Sequence, residues 1–517
     1  MCTVKQMHQF RYRSAISAPK ADLCAAVAAC EMRNEKINLG LHKAVCRINA
    51  YTESIDVLEP YKDRDSGKGV GTGFVILVEG KPYIATAFHV IDESVRLQIV
   101  FEHYFSGRPL NGYCIGGNPE LDVAILVLDD DEVDMSTLAT ISVGDSDKLS
   151  PLDEVSALGF ALGQRHLQTS KGVVSGRKAI PNRVQADVAV NPGNSGGPVL
   201  TTGAGEAGQC IGIVTSGHSH AQGLNYLAPI NEAMQVFVSV VKARPSRTNP
   251  FYTSGVSFNA HFAQMNDVLI RSIGCDSGVF ITTTNYARDE PDQLKAGDVL
   301  CRIEIPEQKL SFSIDMQMRI TAPWSRNKIE FFSILDRLRI KRTPLGDESE
   351  PIVFHVLRGA DIEQPRALKT TLGKSRSVLR DVYPYVESQR FVSRAGVVVQ
   401  MLNENIQTKS SWIKRCRYAD FPTMDFKSVL IITHLAPGSP FAHDDAIGQY
   451  DYPEAVNNHT IQYTGDKDPL QVFAEAFDTE YKNSPIITLR MRDGTMASAS
   501  KSQIQEYEQA AQPKTVS

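Results

Sequence analysis

The 517-residue sequence predicts a mainly β protein, with a double β-barrel domain over residues 41–243 followed by two α+β modules over 251–372 and 380–500. Two observations carry that expectation. Between 41 and 243, short runs rich in β-branched and aromatic residues alternate with Gly, Asp and Asn turns and end in one helical stretch, the texture of a sandwich or barrel. Beyond a polar, proline-punctuated linker at 244–250, one order of elements occurs twice: a glycine-led strand, a second strand, a helix and a closing strand.

Taken in order, strands are predicted at 44–51, 73–78, 82–86, 96–101, 123–128 and 154–158, then at 172–175, 183–188, 198–200, 210–215 and 225–229. A helix over 231–241 closes this domain. In the first α+β module, Gly255-Val256-Ser257-Phe258 leads into a strand at 278–282, the run Lys295-Ala296-Gly297-Asp298-Val299-Leu300, an amphipathic helix over 330–338 and a strand at 351–357. The second module repeats this with strands at 395–399 and 429–432, a Pro437-Gly438 loop, a helix near 470–477 and a strand at 486–491. It lacks a clear Gly-Asp-Val turn, which residues 446–450 replace, so packing rather than peptide capture is expected of it. Residues 1–40 and 501–517 read as tails.

Composition bounds the partners. A chain that is 42% hydrophobic and 22% charged is ordinary globular material, with length for about three domains. A net charge of −5 and the lack of a long basic block argue against a nucleic-acid partner. No run of about 18 apolar residues occurs, so no membrane span is expected. The nine cysteines are scattered, odd in number and form no CxxC pair, which predicts reduced thiols in an intracellular compartment, the cytosol or an organelle. Residues 1–21 are basic without an acid, a transit sequence or a plain basic tail. Export is the lesser alternative: Val27-Ala28-Ala29-Cys30 loosely resembles a lipoprotein cleavage site, but Asp22 precedes it directly and the apolar patch is short.

The densest chemical signal is Asn191-Pro192-Gly193-Asn194-Ser195-Gly196-Gly197-Pro198. Glycine costs about 0.5–1 kcal/mol relative to alanine in regular structure, so this clustering implies unusual backbone angles or a close approach. A serine so placed is a candidate nucleophile, which demands a base and an acid elsewhere in the chain. His89 follows the apolar run 84–88, and Asp122 opens the apolar run 123–128. Either residue alone is more often a packing or turn residue than a catalytic one. Gly193-Asn194-Ser195-Gly196-Gly197 also satisfies the nucleophile elbow of α/β hydrolases, which requires a following helix and the order Ser, acid, His. The order here is His89, Asp122, Ser195, and a strand follows the serine, so that alternative loses.

Residues 41–240 resemble the protease domain of the Deg/HtrA family of trypsin-like serine proteases. The matching motifs are Gly71-Thr72-Gly73-Phe74, Thr86-Ala87-Phe88-His89-Val90, Leu121-Asp122-Val123-Ala124-Ile125-Leu126, Gly144-Asp145-Ser146, the run 157–163, Gly172-Val173-Val174-Ser175-Gly176, and Gln185-Ala186-Asp187 leading to the serine loop. The chain departs from the pattern at Ala87-Phe88, where the family usually has Asn-Ala, and at Ala161, where proline is common. The resemblance implies a chymotrypsin-like double barrel and a catalytic triad of His89, Asp122 and Ser195. It also implies an oxyanion hole from Gly193, Asn194 and Ser195, and a substrate pocket walled by Ala189, Val190, Asn191, Thr215, Ser216 and Gly217. No charged side chain stands among those pocket residues, so cleavage after small or medium aliphatic residues is expected.

The two α+β modules resemble PDZ domains, an order similar to that of plant-type Deg proteases. In the first, Gly255, Val256, Ser257 and Phe258 would form the peptide groove, binding extended chains by strand addition. The resemblance implies an ATP-independent endopeptidase acting on unfolded or damaged polypeptides, a homo-oligomer built of trimers, and no cofactor. Two alternatives stay open: a chaperone-like scaffold whose protease domain is inactive at rest, and a processing protease with one dedicated substrate. His218 and His220 lack partners for a metal site, so none is expected.

Overall fold

The structure, a computed structural model, describes residues 40–129, 133–178, 183–202, 208–217, 225–253, 256–266, 268–270, 277–284, 292–325, 328–343, 346–359, 361–373, 390–407, 409, 429–442, 446–461 and 468–511. It is mainly β, a chymotrypsin-like double barrel followed by two PDZ-like α+β modules.

The first barrel is built from β1 (Val45–Ser54), β2 (Asp65–Val78), β3 (Lys81–Thr86), β4 (Ser94–Phe101), β5 (Leu110–Asn118) and β6 (Val123–Leu128). They pair in the order β5-β4-β1-β2-β3-β6, and β5 returns to pair with β6, closing the ring. The second barrel closes through β7 (Glu154–Gly159), β8 (Gln168–Lys178), β9 (Arg183–Ala186), β10 (Pro198–Thr201), β11 (Cys210–Gly217) and β12 (Asn225–Pro229).

Strand alternation explains how one chain fills three cores. Successive side chains on a strand point to opposite faces. On β2, Val75 faces the interior of the first barrel with Ile48, Ile84, Ile99 and Leu126, whereas Phe74, Ile76 and Val78 face the seam between barrels. Leu158, Phe160, Leu200 and Ile213 meet them there from the second barrel, and Val155, Val174, Val199 and Leu227 fill that barrel's own interior. Helix α2 (Ile230–Lys242) follows a one-turn helix α1 (Phe88–Ile91) in chain order and buries Ile230, Ala233, Phe237 and Val240 in the same seam. That spacing is one face of an α-helix.

β5 escapes the pattern read from sequence because three glycines interrupt it. A Cβ at Gly112 would lie 2.5 Å from Ile99 Cδ1, and one at Gly117 would lie 2.2 Å from the Val123 carbonyl oxygen. Gly116 has φ +152°, and a Cβ there would meet the Phe251 oxygen at 1.9 Å. That contact arises because β13 (Phe251–Tyr252), in the chain leaving the second barrel, adds to β5 in parallel, pairing Phe251 with Gly116 and Tyr252 with Gly117.

The first PDZ-like module holds a sheet of β14 (Ala260–Gln264), β15 (Val279–Thr284), β16 (Val299–Ile305), β22 (Ile352–Arg358) and β23 (Asp361–Thr370), with β17 (Leu310–Ser313) also on β16. Here β18 to β21 are the short strands Arg319–Ile320, Ile329–Glu330, Ile340–Thr343 and Gly346–Ser349. The helix expected at 330–338 is instead a 3-10 helix, Phe331–Arg337. Phe331, Ile334 and Arg337 are buried at intervals of three, which a helix of three residues per turn aligns on one face.

The second module combines a sheet of β24 (Phe391–Arg394), β25 (Val397–Met401) and β26 (Leu430–Leu435) with one of β27 (Pro453–Val456), β28 (His459–Thr460), β29 (Ile486–Met491) and β30 (Met496–Ser500). Helix α3 (Pro469–Asn483) packs Leu470, Phe473 and Phe477 into their shared core. Bidentate pairing of Arg394 with Asp478, at 2.7 and 2.9 Å, bridges β24 and α3. The C-terminal segment differs from the frayed tail expected. Lys501–Ala511 is a helix, α4, whose Ile504 is buried and whose Tyr507 sits against Gly396.

Candidate active site

His89 lies in α1, the single helical turn just after β3. Val90 of that turn packs where a Cβ on Gly71 would sit, 2.4 Å from Val90 Cγ1, so glycine at 71 lets the turn settle onto β2. The His89 backbone N–H donates to Asp122 Oδ1 at 2.9 Å, and His89 Nδ1 lies 2.8 Å from Asp122 Oδ2. An ionised carboxylate only accepts, so Nδ1 carries the proton and Nε2 presents its lone pair. Burial works against a charged His89, but the hydrogen bond and charge of Asp122, with the charge of Asp92, outweigh it and hold the imidazole above its ordinary value of 6.5.

Asp122 has φ +59°, a left-handed conformation that aspartate tolerates better than most side chains. The turn is set from both ends. Its N–H donates to the Pro119 carbonyl at 3.1 Å, and Leu121 N–H donates to Asn118 Oδ1 at 2.8 Å.

The serine loop is pinned by Thr72, a fully buried residue of β2. Thr72 Oγ1 donates to the Gly193 carbonyl at 2.6 Å and accepts from Phe160 N–H at 3.0 Å. Thr72 N–H donates to the Ser195 carbonyl at 2.8 Å, and the Thr72 carbonyl accepts from Thr86 Oγ1 at 2.8 Å. One threonine thus joins the serine loop to the strand that leads into the His89 turn. Gly196 has φ +83°, and a Cβ there would meet Thr86 Oγ1 at 2.2 Å and the Thr72 oxygen at 2.3 Å, so no other residue fits between these segments.

The peptide joining Pro192 to Gly193 is also fixed. The Pro192 carbonyl accepts from Leu162 N–H at 2.6 Å, and this turns the Gly193 N–H to the opposite side. Asn194 N–H is used within the loop, donating to the Asn191 carbonyl at 2.9 Å. Among the described residues no backbone acceptor is found for the N–H of Gly193 or of Ser195.

Of the expected pocket residues, Ala189 and Asn191 are exposed and Val190 is half-buried. The Ala189 carbonyl accepts from Ser170 Oγ at 3.0 Å, and Thr215 Oγ1 donates to the Tyr226 carbonyl at 3.0 Å. The Val214 carbonyl accepts from Gly196 N–H at 2.8 Å, so β11, with Thr215, Ser216 and Gly217, runs beside the serine.

In the first PDZ-like module Gly255 lies outside the described residues, as do His218 and His220. Val256 and Phe258 are core residues, Phe258 stacking on Phe331 at 5.3 Å. Ser257 N–H donates to the Gly373 carbonyl at 3.1 Å. Among the described residues no three metal-ligating side chains gather, and no helix is long and apolar enough to cross a membrane.

Thr72, Thr86 and Asn118 were not singled out from sequence. Thr72 had a signal, its place between Gly71 and Gly73, but a lone threonine in a strand reads as ordinary β residue.

Residues 71–213 match the family model of the trypsin-like peptidase domain. Over 249 residues the chain is 30% identical to the "Probable periplasmic serine endoprotease DegP-like" of Halomonas elongata, covering 46% of this chain and 48% of the relative. A protein of the same name from Pseudomonas putida is 30% identical over 271 residues, 50% of this chain and 51% of the relative. The "Probable periplasmic serine protease do/HhoA-like" of Haemophilus influenzae is 27% identical over 280 residues, 52% and 56%. The chain thus spans about half the length of the curated relatives it matches.

These names overturn the intracellular placement, because the relatives are periplasmic and point to export. The cysteine argument misled for a physical reason. Cys46, Cys114, Cys210 and Cys301 are free, and burial raises the thiols of Cys46, Cys114 and Cys210, the last two to about 11 and about 12. Such residues serve as small apolar side chains and say little about the redox state of their compartment.

Proposed function

We propose that this chain, which carries a trypsin-like peptidase domain of the Deg/HtrA family, hydrolyses peptide bonds of unfolded or damaged polypeptides through His89, Asp122 and Ser195, without ATP. One observation carries the reading: both His89 N–H groups are given to the Asp122 carboxylate while the serine loop, among the described residues, leaves the Gly193 and Ser195 N–H groups without a backbone acceptor. With Nδ1 protonated, Nε2 takes the proton of the Ser195 hydroxyl as Oγ attacks the peptide carbonyl. The two amides meet the oxyanion, and one such donor is worth about 10²–10³ in rate. His89 then protonates the leaving amine, and water repeats the sequence on the acyl-enzyme.

An aliphatic side chain before the scissile bond suits the walls at 189–191 and 215–217. We place the reaction outside the cytosol, as the relatives' names do for them. We take 41–243 as the protease unit and 251–372 and 380–500 as PDZ-like units serving substrate binding or assembly, the whole forming trimers or multiples of trimers. The pinned Pro192–Gly193 peptide favours this over a scaffold inactive at rest. The test is digestion of casein and labelling by a fluorophosphonate, with wild type and Ser195→Ala in parallel. Loss of both in the variant is expected; equal digestion by the two would remove the reading.

A further inference from the structure

The segment leaving the second barrel touches both catalytic turns. Phe88 is one of the two residues at which the chain departs from the family's usual Asn-Ala before the histidine. It is buried, and its ring meets Tyr252 of β13 edge-on, with centroids 5.8 Å apart and an interplanar angle of 88°. Tyr252 is held in place by its pairing with Gly117 of β5. One residue further, Thr253 is buried; its N–H donates to the Gly117 carbonyl at 2.8 Å, and its Oγ1 accepts from Asn118 Nδ2 at 3.0 Å. Asn118 uses its other side-chain atom, Oδ1, to accept from Leu121 N–H in the Asp122 turn.

From these contacts we infer that Tyr252 and Thr253 are positioning residues for the catalytic pair, Tyr252 bracing the His89 turn through Phe88 and Thr253 bracing the Asp122 turn through Asn118. The inference rests on the serine-protease reading above and adds a route by which the first PDZ-like module reaches the triad. Tyr252 ends β13 and Thr253 directly follows it, so one short segment serves both turns at once. The segment continues within a few residues into Val256 and Phe258, core residues of that module. Asn118 and Thr253 also line a cavity of about 120 Å³ between barrel and module, with Val256 and Leu335 on its far side. A shift of the module relative to the barrel therefore pulls on the strand whose side chains hold His89 and Asp122 in register.

The 517-residue chain and four variants, Thr253→Val, Thr253→Ser, Tyr252→Leu and Ser195→Ala, decide the matter with a fluorogenic peptide too short to reach the PDZ-like modules. Thr253→Val keeps shape and strand pairing but removes the acceptor for Asn118. Because small misplacements far from the chemistry cost up to about 10² in rate, kcat is expected to fall roughly tenfold in Thr253→Val and in Tyr252→Leu. KM stays within about twofold, since neither residue touches substrate, and Thr253→Ser restores kcat. A merely structural role would lower the melting temperature and leave kcat alone. A second readout needs no turnover: the far-downfield proton resonance of His89 Nδ1 against Asp122 should weaken in the two impaired variants and return in Thr253→Ser. If kcat and that resonance match wild type in both Thr253→Val and Tyr252→Leu, the inference is overturned. If wild type and Ser195→Ala hydrolyse the peptide equally, the protease reading falls instead, and the proton resonance alone still decides for or against the brace.

Discussion

Arg337 of the first PDZ-like module places Nη2 2.7 Å from Glu232 Oε1 of helix α2, and both side chains are almost wholly buried. The guanidinium also makes a two-point contact with Asp147, at 2.9 and 2.5 Å, and lies over the Trp324 ring at 4.5 Å. Module and peptidase domain are thus joined by a buried ionic cluster. Breaking such a cluster from one side leaves unpaired charge behind, at a cost of about 3–5 kcal/mol. Arg337→Ala is expected to lower the first calorimetric melting transition and to speed proteolytic cleavage in the linker at 244–250. Unchanged melting and cleavage would show that the modules do not depend on this contact.

Glu232 makes the same joint sensitive to pH. Burial outweighs the pull of Arg337 and Arg177 and pushes its carboxyl from 4.5 to about 7. Below pH 4.5 the folded and unfolded chains both hold the proton; between 4.5 and about 7 only the folded chain does. The stabilisation is therefore complete below the unfolded value and is lost as pH rises through the folded one. Glu232→Gln should remove this component of the slope, so urea midpoints of wild type and variant diverge between about pH 5 and pH 8, with the variant gaining relative to wild type. Parallel midpoints across that range would sink the assignment.

Thr72 is the second test of linkage, this time inside the site. Thr72→Val keeps shape but strands two buried groups, the Gly193 carbonyl and the Phe160 N–H, each worth about 1–3 kcal/mol when unsatisfied. The serine loop should loosen, lowering kcat by about 10–10² through the oxyanion donors while the short-peptide KM changes little. Thr72→Ser keeps the hydroxyl and should recover most of the rate. A valine variant as active as wild type would show that the loop holds its shape without Thr72.

What could be read in advance followed from residue chemistry that packing does not explain. His89, Asp122 and Ser195 were legible because each interrupts or borders an apolar strand in a context of its own, and their order chose the fold. The barrels were legible through strand alternation, as at Phe74 to Val78. β5 was not, because Gly112, Gly116 and Gly117 are demanded by neighbours across the sheet, Ile99, Phe251 and Val123, and so look like turn residues. Helix α4 was missed for a related reason. Its only buried residue is Ile504, so no apolar period marks it. The brace at Tyr252 and Thr253 was invisible because a two-residue strand and the residue after it have no period at all, and their meaning comes from what they touch.

The His89 tautomer gives the sharpest prediction. Asp122→Asn can keep the acceptor for the His89 backbone N–H, so the turn should survive, but its amide faces Nδ1 as a donor. The proton then moves to Nε2, and the base is lost, so kcat should drop by about 10⁴. The pH dependence shifts as well. In wild type, activity is expected to rise as His89 deprotonates, with a midpoint above 6.5 because Asp122 stabilises the imidazolium. Without that carboxylate, burial remains the largest influence and favours the neutral ring, so the acid limb of the residual kcat/KM profile should move to lower pH. A profile measured on a short peptide at constant ionic strength checks both parts. A limb that stays in place, or a loss smaller than about tenfold, would mean that Asp122 neither sets the tautomer nor holds the charge.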